Sequence, residues 1–347
     1  MIKNLIIILS LIFPVNILSA SDVAADISFL DLPLSARASS LGNTFLSDLG
    51  ASSNLLLNPS NIWFGDRVNS NRVFSKNIFF RGSSTNYKII GNNYYNIMGS
   101  LQFGNGITIG GGCVGISQSD INYYDSNANY LGEIKHTQNA YVLGSATRIL
   151  GVNIGISGTY IQTDFSSIGE YGNQNDIIVS SIGLSINNKP INIKKETIFE
   201  EILIPSKISW HFLSRNIVSD ISSEISISNS SLYKNIMGFR FDNNISKLST
   251  YFLFDYKSNN SFTAEQVDIG WGVGNLFMSE SFGDLSFNIG LRNFSFNQLS
   301  WGINYDISNI NIFGSNWFDL IVGYSSFGNA WGGQTSVLSI KYFYDKN

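Results

Sequence analysis

The stretch from residue 151 to residue 162, GVNIGISGTYIQ, decides the fold because it alternates with a period of two. Successive side chains of a β-strand point to opposite faces of its sheet. One parity here is mainly apolar and the other mainly small or polar: Val152, Ile154, Ile156, Gly158 and Tyr160 stand against Asn153, Gly155, Ser157, Thr159 and Ile161. The stretch therefore predicts a strand with one apolar face and one small, polar face.

The same alternation recurs along the chain, and turn residues bound each repeat. We count about fourteen to sixteen such segments of about ten residues, the length that a tilted strand needs to cross an outer membrane. Clear examples are the apolar parities Ile269, Trp271 and Val273; Leu285, Phe287, Ile289 and Leu291; and Phe318, Leu320, Val322 and Tyr324.

The first twenty residues predict export. Lys3 supplies a positive charge, residues 5–13 form an apolar run broken only by Ser10, and Ala20 is a small residue at the end. This pattern is typical of a secretory signal cleaved before Ser21. A membrane anchor is the alternative, but the run is far shorter than the roughly 20 apolar residues that a spanning helix needs.

Composition narrows the class of protein. A single cysteine, Cys113, excludes an intrachain disulfide. Charged residues make up 13% of the chain, aromatic residues 14%, and the formal net charge is −4, so no nucleic-acid partner is expected. Soluble domains carry roughly a quarter charged residues. A large secreted β-protein and a membrane barrel remain.

The second face of the strands favours the barrel. A soluble sandwich exposes this face to water and usually carries Lys, Glu and Arg there, whereas here it is mostly Gly, Ser, Asn and Thr. No proline follows Pro205, as expected where every strand donates to a closed ladder. We predict an all-β protein, a transmembrane antiparallel β-barrel of about fourteen strands over residues 69–347, set in the lipid of a Gram-negative outer membrane.

Sequence motifs of enzymes are not found. The chain has no Gly-x-Ser-x-Gly elbow, His-Glu-x-x-His, Walker loop or cysteine pair, and Gly270, Gly272 and Gly274 fall inside a strand. His136 is predicted in a loop and His211 on the lumen side of a strand. A lumen Ser–His or Asp–His pair could hydrolyse a lipid, as in enzyme barrels, but two unlinked histidines favour a protein without catalytic activity. No cofactor or metal site is expected.

Residues 187–207, NNKPINIKKETIFEEILIPSK, interrupt the strand pattern. Pro190 and Pro205 bracket a charged stretch in which Ile198, Phe199 and Ile202 have the spacing of a short amphipathic helix. We predict a long solvated loop or cap outside the membrane. A dedicated partner-docking surface is the alternative.

Residues 31–62, DLPLSARASSLGNTFLSDLGASSNLLLNPSNI, have no sustained period. Their Leu and Phe content argues against free solution, and their Gly, Ala and Ser content suits close backbone packing. We predict that residues 21–68 form a hatch folded into the barrel. Arg37 would then need wall carboxylates or carbonyls as partners, and Asn58-Pro59 would end any preceding helix.

This stretch also carries a family resemblance. LPLSARASSLGNTF, followed by NPSNI, resembles the signature of the PorV/PorQ group within the FadL-like outer-membrane barrels, and FLDLPLSAR is nearest the PorQ branch. Residues 123–149, YYDSNANYLGEIKHTQNAYVLGSATRI, resemble a second family segment that leads into a small-residue strand. The matching positions of the signature are Ser35, Ala36, Arg37, Ala38, Leu41, Gly42, Asn58 and Pro59.

The resemblance implies a fourteen-strand barrel with an inward hatch, and two functions. A PorV/PorQ-type protein would be an accessory of type IX secretion, with secretion components or secreted cargo as partners at the cell surface. A FadL-like protein would pass hydrophobic small molecules. Transport predicts an apolar path through the lumen, whereas the accessory function predicts a plugged lumen and external loops. The inward Gly, Ser and Asn, with the 187–207 segment as an external surface, favour the accessory function.

Overall fold

Antiparallel strands make up most of the chain in the computed structural model. The structure describes residues 28–44, 51–63, 78–89, 92–104, 106–118, 121–124, 127–166, 174–193, 200, 204–220, 235–245, 248–258, 266–274, 276, 284–292, 295–311, 317–328 and 334–345. The strands are β1 (Ile78–Ile89), β2 (Asn92–Phe103), β3 (Ile107–Gln118), β4 (Ile121–Tyr124), β5 (Tyr130–Ile149), β6 (Val152–Ser166), β7 (Gln174–Pro190), β8 (Lys207–Asp220), β9 (Asn235–Ile245), β10 (Leu248–Ser258), β11 (Gln266–Gly274), β12 (Asp284–Arg292), β13 (Ser295–Asn311), β14 (Trp317–Gly328) and β15 (Gln334–Asp345). Two short α-helices, α1 (Ala36–Ser40) and α2 (Asn54–Leu57), and two 3₁₀ turns, Ser28–Asp31 and Pro59–Ile62, precede them.

The strands close into a ring. β1 pairs with β2 on one side and with β15 on the other, so the first and last strands of the barrel are joined. β3 pairs with β5, and the short β4 pairs with the start of β5 outside the ring of fourteen. Closure pairs the strand edges that would otherwise be exposed in lipid. The predicted antiparallel barrel of about fourteen strands is confirmed.

The alternation predicted for residues 151–162 is confirmed in β6. Asn153, Gly155, Ser157 and Thr159 are buried, whereas Ile156 is 56% exposed. Other strands repeat the pattern with apolar side chains outward, which gives the barrel the apolar outer surface of a lipid-facing band. Outward residues that are at least 40% exposed include Ile97, Ile109, Tyr141, Leu143, Ile182, Phe252, Trp271, Ile303, Tyr324, Leu338 and Ile340. Among the described helices, none has the length and hydropathy needed to cross a bilayer.

The two ends of the barrel differ in what they hold. We define the near end as the end where β1 begins and β15 ends; Phe79 pairs with Asp345 there. The opposite, far end holds the connection between β1 and β2. Following the antiparallel order, the connection from β7 to β8 falls at the near end, together with the beginning of β1 and the end of β15.

Residues 187–207 lie partly in strands, because β7 runs to Pro190 and β8 begins at Lys207. The backbone N–H of Ile191 donates to the carbonyl of Ser206 at 2.9 Å, which extends the β7–β8 hairpin at the near end. The predicted amphipathic helix falls mainly on residues 194–199 and 201–203, outside the described residues.

His136 is not in a loop, as the sequence had suggested. It lies within β5 and pairs with Phe165 of β6. The polar run after Glu133 has no turn residue able to interrupt the ladder, and β5 therefore continues from Tyr130 through to Ile149. A polar stretch predicts a loop poorly where a strand extends beyond the lipid-facing band.

Two segments that precede β1 lie inside the ring. We call residues 28–44 the first inner segment and residues 51–63 the second inner segment. Helix α1 of the first packs on β12–β15, whereas α2 and the turn Pro59–Ile62 of the second pack on β5–β7. Residues 51–63 are all buried, and so are nearly all of residues 29–44. The predicted hatch span of 21–68, and its function as a hatch, extend beyond these segments and stay a prediction.

Candidate functional site

The signature residues 35–42 form one compact turn of the first inner segment. Ser35 caps helix α1, because its hydroxyl accepts a hydrogen bond of 3.0 Å from the backbone N–H of Ala38. The N–H of Ala36 donates to the hydroxyl of Ser339 in β15, also at 3.0 Å. Gly42 ends the turn with φ of 71°, a left-handed conformation that favours glycine. The pattern Ser-Ala-Arg-Ala therefore encodes a capped helical turn fixed to the wall.

Inward-facing glycines of the barrel wall contact this turn. A Cβ atom on Gly302 of β13 would lie 2.6 Å from the Cβ of Ser40, and one on Gly323 of β14 would lie 3.0 Å from the Cβ of Ala36. Gly270 of β11 faces the carbonyl of Leu41 in the same way. Four adjacent strands, β11 to β14, each contribute one such glycine: Gly270, Gly290, Gly302 and Gly323. The sequence predicted strands with one small, polar face, and on β11–β14 this face packs against the first inner segment.

Asn58 and Pro59 fix the second inner segment to the opposite wall. The side-chain amide of Asn58 donates to the carbonyl of Phe212 in β8 at 3.2 Å, and its Oδ1 accepts from both the N–H and the hydroxyl of Ser60. The Ser60 hydroxyl in turn lies 3.0 Å from that of Ser185 in β7. Gly183 faces the Asn58 side chain at contact distance. Asn-Pro thus ends α2, as predicted, and also attaches the segment to β7 and β8.

Arg37 contacts an aromatic side chain of the wall. Its guanidinium carbon lies 5.0 Å from the centre of the Tyr251 ring in β10. The Tyr251 hydroxyl donates to Oδ1 of Asn288 in β12, and Arg240, paired with Asp242 at 2.7 Å, also lies over the ring. A cation over an aromatic face is stabilised by the quadrupole of the ring. We had expected wall carboxylates or carbonyls around Arg37; this described contact is of a different kind.

A buried ion pair between the first inner segment and the wall was not anticipated. Nη1 of Arg215 in β8 donates to Oδ1 of Asp31 at 2.6 Å, with the two side chains 2% and 5% exposed. Nη2 of the same guanidinium donates to the carbonyl of Leu56 at 3.2 Å. Arg215 lies on the inward parity of KISWHFLSR, which is the only signal that sequence offers for it.

A second buried ion pair lies in the wall itself. Nζ of Lys257 in β10 is 2.6 Å from Oδ2 of Asp268 in β11, and both side chains are fully buried. Lys257 also donates to the carbonyl of Asn43 at 3.1 Å, and the Asn43 amide donates to the carbonyl of Asp31 at 2.6 Å. The wall thus offers two cations, Lys257 and Arg215, to the polar atoms of the first inner segment.

His211 faces the lumen, as predicted. Its Nε2 lies 3.6 Å from Oδ1 of Asp255 in β10, and both side chains have no exposed surface. This is the Asp–His pair that a lipid-hydrolysing barrel would need in principle. Its complete burial keeps it out of contact with lipid in this conformation, so the pair acts here as part of the wall. No group of metal-ligating side chains is found among the described residues.

The two halves of the lumen differ in polarity. Toward the far end the buried inward side chains are mixed. The apolar ones form a cluster of Tyr87, Tyr94, Val114, Ala140, Ile161, Ile177, Val179, Ile236, Phe327 and Val337, and the polar ones include Gln138, Thr163, Arg215, Asp255, Lys257, Gln266, Asp268, Ser300 and Thr335. Toward the near end they are polar: Arg81, Gln102, Thr108, Asn153, Ser185, Ser209, Asn243 and Lys341. The far half also holds the Lys257–Asp268 pair. Phe29 and Leu30 of the first inner segment belong to the same apolar cluster as the far-half residues.

Comparisons with known proteins bear on the fold alone. No family model matches the chain, and no curated protein matches it. Among solved structures, it is similar to the Ralstonia pickettii toluene transporter TbuX (11% identity, 90% of this chain and 98% of that chain, TM-score 0.48). Similar too are the Pseudomonas putida toluene transporter TodX (10%, the same shares, TM-score 0.47) and a Pseudomonas aeruginosa FadL homologue (8%, the same shares, TM-score 0.43). None of these comparisons points to the PorV/PorQ group in particular.

Proposed function

We propose that this barrel is an outer-membrane passage for hydrophobic small molecules, closed in this conformation by its two inner segments. The observation that carries the proposal is the cluster of apolar and aromatic side chains in the far half of the lumen, on β1–β3, β5–β7, β9, β14 and β15, which the polar near half does not match. Ligand pockets are lined mainly by apolar and aromatic side chains. A lumen that needed only to be filled could be polar throughout, as the near half is.

The apolar cluster is aromatic where it contacts the first inner segment. The rings of Tyr87 and Tyr94 have centroids 4.5 Å apart, and Phe327 meets Tyr87 edge-on at 6.3 Å. The Tyr87 hydroxyl donates to the carbonyl of Pro33 at 2.9 Å. Aromatic rings supply large apolar contact areas, and the hydroxyl is satisfied by the backbone of the segment. Displacing Phe29 and Leu30 from this region would leave an apolar chamber of the kind a hydrophobic molecule prefers.

We assign the far end to the cell exterior. An exported chain that inserts from the periplasm leaves its termini on that side most simply, and the near end holds the start of β1 and the end of β15. A hydrophobic molecule would then reach the apolar cluster before the polar near half.

The same orientation removes one argument for a type IX accessory function. Residues 187–207 belong to the near end and would face the periplasm, so they would not offer the external surface that this function needs. A filled lumen is what the accessory function predicts, and a passage closed by its inner segments is also filled. The PorV/PorQ resemblance of residues 32–45 and 58–62 is then a resemblance of the inner segments, which either kind of barrel can use.

The experiment that tests the function measures selective permeation. Gram-negative host cells would express the chain, because their lipopolysaccharide slows hydrophobic molecules that otherwise cross a bilayer freely. Initial uptake of the hydrophobic dye N-phenylnaphthylamine would be compared with hydrolysis of polar nitrocefin by a periplasmic β-lactamase. We expect expression to accelerate dye uptake several-fold more than nitrocefin hydrolysis. Equal acceleration of both would indicate a nonselective pore, and no acceleration would contradict the proposal.

A further inference from the structure

The two inner segments are attached to opposite sides of the barrel. Helix α1 of the first segment packs on β12–β15, and the turn Pro59–Ile62 of the second packs on β5–β7. Counting along the ring from β6, the centre of the second attachment, β13 is the seventh strand of fourteen in either direction. The attachments are therefore diametrically opposed.

Each attachment uses glycines on neighbouring strands. On the β11–β14 side, Gly270 and Gly290 are direct cross-strand partners, and both face the backbone of Leu41 and Gly42. On the opposite side, Gly155 and Gly183 are direct partners and face Pro59 and Asn58. We call each of these glycine contacts a glycine seat. It brings the backbone of the segment against the backbone of the wall, and shape complementarity and dispersion over a broad contact stabilise it.

Arg215 lies between the attachments, on β8, and contacts both segments. Its Nη1 donates to the Asp31 carboxylate of the first segment, and its Nη2 donates to the Leu56 carbonyl of the second. The planar guanidinium presents its donors in a fixed fork. One wall side chain thus connects two segments whose glycine contacts lie on opposite walls.

We call the boundary between the two inner segments, which Arg215 bridges, the seam. We propose that the lumen opens along this seam, and that Arg215 is the positioning residue that keeps it closed. Each segment stays on its own glycine seat while the two segments move apart. We call this a two-leaf closure, because each segment moves as a separate body. This inference deepens the proposed function and rests on it. It differs from a hatch that leaves the lumen as a single body.

The different chemistry of the contacts explains why the seam would open before the seats. Contact at a seat is spread over several backbone atoms and involves no net charge. The Arg215 contact concentrates a buried charge on two hydrogen bonds, and removing one partner of a buried ion pair is strongly destabilising. A change at Asp31 or Arg215 should therefore shift the closed state while leaving both seats intact.

The first experiment measures ion conductance of the purified, refolded barrel in planar lipid bilayers in KCl. We expect Arg215→Gln and, independently, Asp31→Asn to raise the time-averaged conductance about tenfold or more over the natural chain. Lys88→Gln, which removes an exposed outward charge of β1, is the control and should leave conductance unchanged. Heat-dependent gel mobility verifies that each variant forms a barrel. Conductance of both Arg215→Gln and Asp31→Asn at the natural level would overturn the proposal.

The second experiment distinguishes two leaves from one body. The hydroxyls of Ser60 and Ser185 are 3.0 Å apart, so Ser60→Cys with Ser185→Cys can lock the second segment to β7, in a Cys113→Ser background. Combined with Arg215→Gln, this lock should leave conductance high under both oxidising and reducing conditions. If oxidation returns conductance to the natural level and reductant restores it, the segments leave together and the two-leaf closure is wrong.

These readouts separate the inference from the proposed function. Ion conductance does not depend on which molecule the barrel carries, whereas N-phenylnaphthylamine uptake does. A conductance rise in Arg215→Gln without any dye uptake by the natural chain would support opening at the seam and contradict the hydrophobic passage. Dye uptake by the natural chain with unchanged conductance in Arg215→Gln and Asp31→Asn would support the hydrophobic passage and contradict opening at the seam.

Discussion

Arg37 of the first inner segment stacks on Tyr251 of the wall, with its guanidinium carbon 5.0 Å from the ring centre. The ring is itself held by a hydrogen bond from its hydroxyl to Asn288 on the strand two positions along. The signature arginine thus adds a planar stacking contact to the glycine seat under the same segment. Lysine would keep the charge but lose the flat contact, so the two cations are not equivalent here.

Arg37→Ala should loosen the first inner segment. Cation–π contacts contribute about 0.5–2 kcal/mol, which predicts roughly a 2- to 30-fold rise in the rate of chymotrypsin cleavage within residues 28–44. Arg37→Lys should lie between the natural chain and Arg37→Ala. Tyr251→Phe keeps the aromatic face and removes only the hydrogen bond to Asn288, so its cleavage rate should stay below that of Arg37→Ala. Cleavage of Arg37→Ala at the natural rate would show that stacking does not hold the segment.

Two glycines of β6 should differ in how much an added methyl group destabilises the barrel. A Cβ on Gly155 would collide with the backbone of Pro59 and Ser60, whereas a Cβ on outward Gly158 meets nothing within 4 Å. Gly155→Ala should therefore cost about 1–3 kcal/mol through overpacking, and Gly158→Ala should change stability by less than about 1 kcal/mol. Thermal unfolding in detergent, followed by circular dichroism, measures both. Equal midpoints for the two variants would mean that the second inner segment is not seated on β6.

The buried pair of Lys257 and Asp268 predicts another contrast. Asp268→Asn leaves a buried ammonium without its carboxylate and should destabilise the barrel by about 3–5 kcal/mol. Asp242→Asn breaks the Arg240–Asp242 pair, whose carboxylate side is 18% exposed, and should cost about 1 kcal/mol or less. Urea unfolding in lipid vesicles gives the two free energies. An Asp268→Asn barrel as stable as Asp242→Asn would exclude a charged, buried Lys257.

Much of the fold was predictable because a barrel strand repeats one rule. The alternation in residues 151–162 depends only on which face meets lipid, and the same rule places Leu338 outward and Ser339 inward in β15. The pairing of Asp31 with Arg215 was not predictable, because these residues are 184 positions apart and either could pair with several other charges on inward parities. His136 was misplaced for a related reason: polar residues occur both in loops and in strand ends beyond the lipid.

The small residues of the hatch stretch were informative about packing but not about partners. Gly42 and Ala36 indicated close backbone contact, yet only the structure shows that glycines of β11–β14 receive them. The end of the barrel at which residues 187–207 lie was not predictable either. Counting strands along the closed ring assigns a connection to an end, and an uncertain strand count leaves that end undetermined.

The apolar outer band predicts a depth-dependent response to charge. Leu143 of β5 is 68% exposed within the strand, whereas Leu150 is 92% exposed in the connection that follows. Leu143→Arg should destabilise the barrel by about 2–4 kcal/mol, because it places a charge in the bilayer interior, and Leu150→Arg should cost about 0–1 kcal/mol at the interface. Equilibrium unfolding in vesicles compares them directly. Equal values would place Leu143 outside the hydrocarbon region.

The most direct test of the hydrophobic passage changes the apolar cluster in the far half of the lumen without changing its volume. Val114, Val179 and Val337 all point into this half, and replacing the three with threonine swaps a methyl for a hydroxyl at each. We predict that cells expressing this triple variant take up N-phenylnaphthylamine several-fold more slowly than cells expressing the natural chain, at equal barrel levels in the membrane. Val322→Thr, on the outward parity of β14, should match the natural chain. An unchanged uptake rate in the triple variant would contradict an apolar route through the barrel.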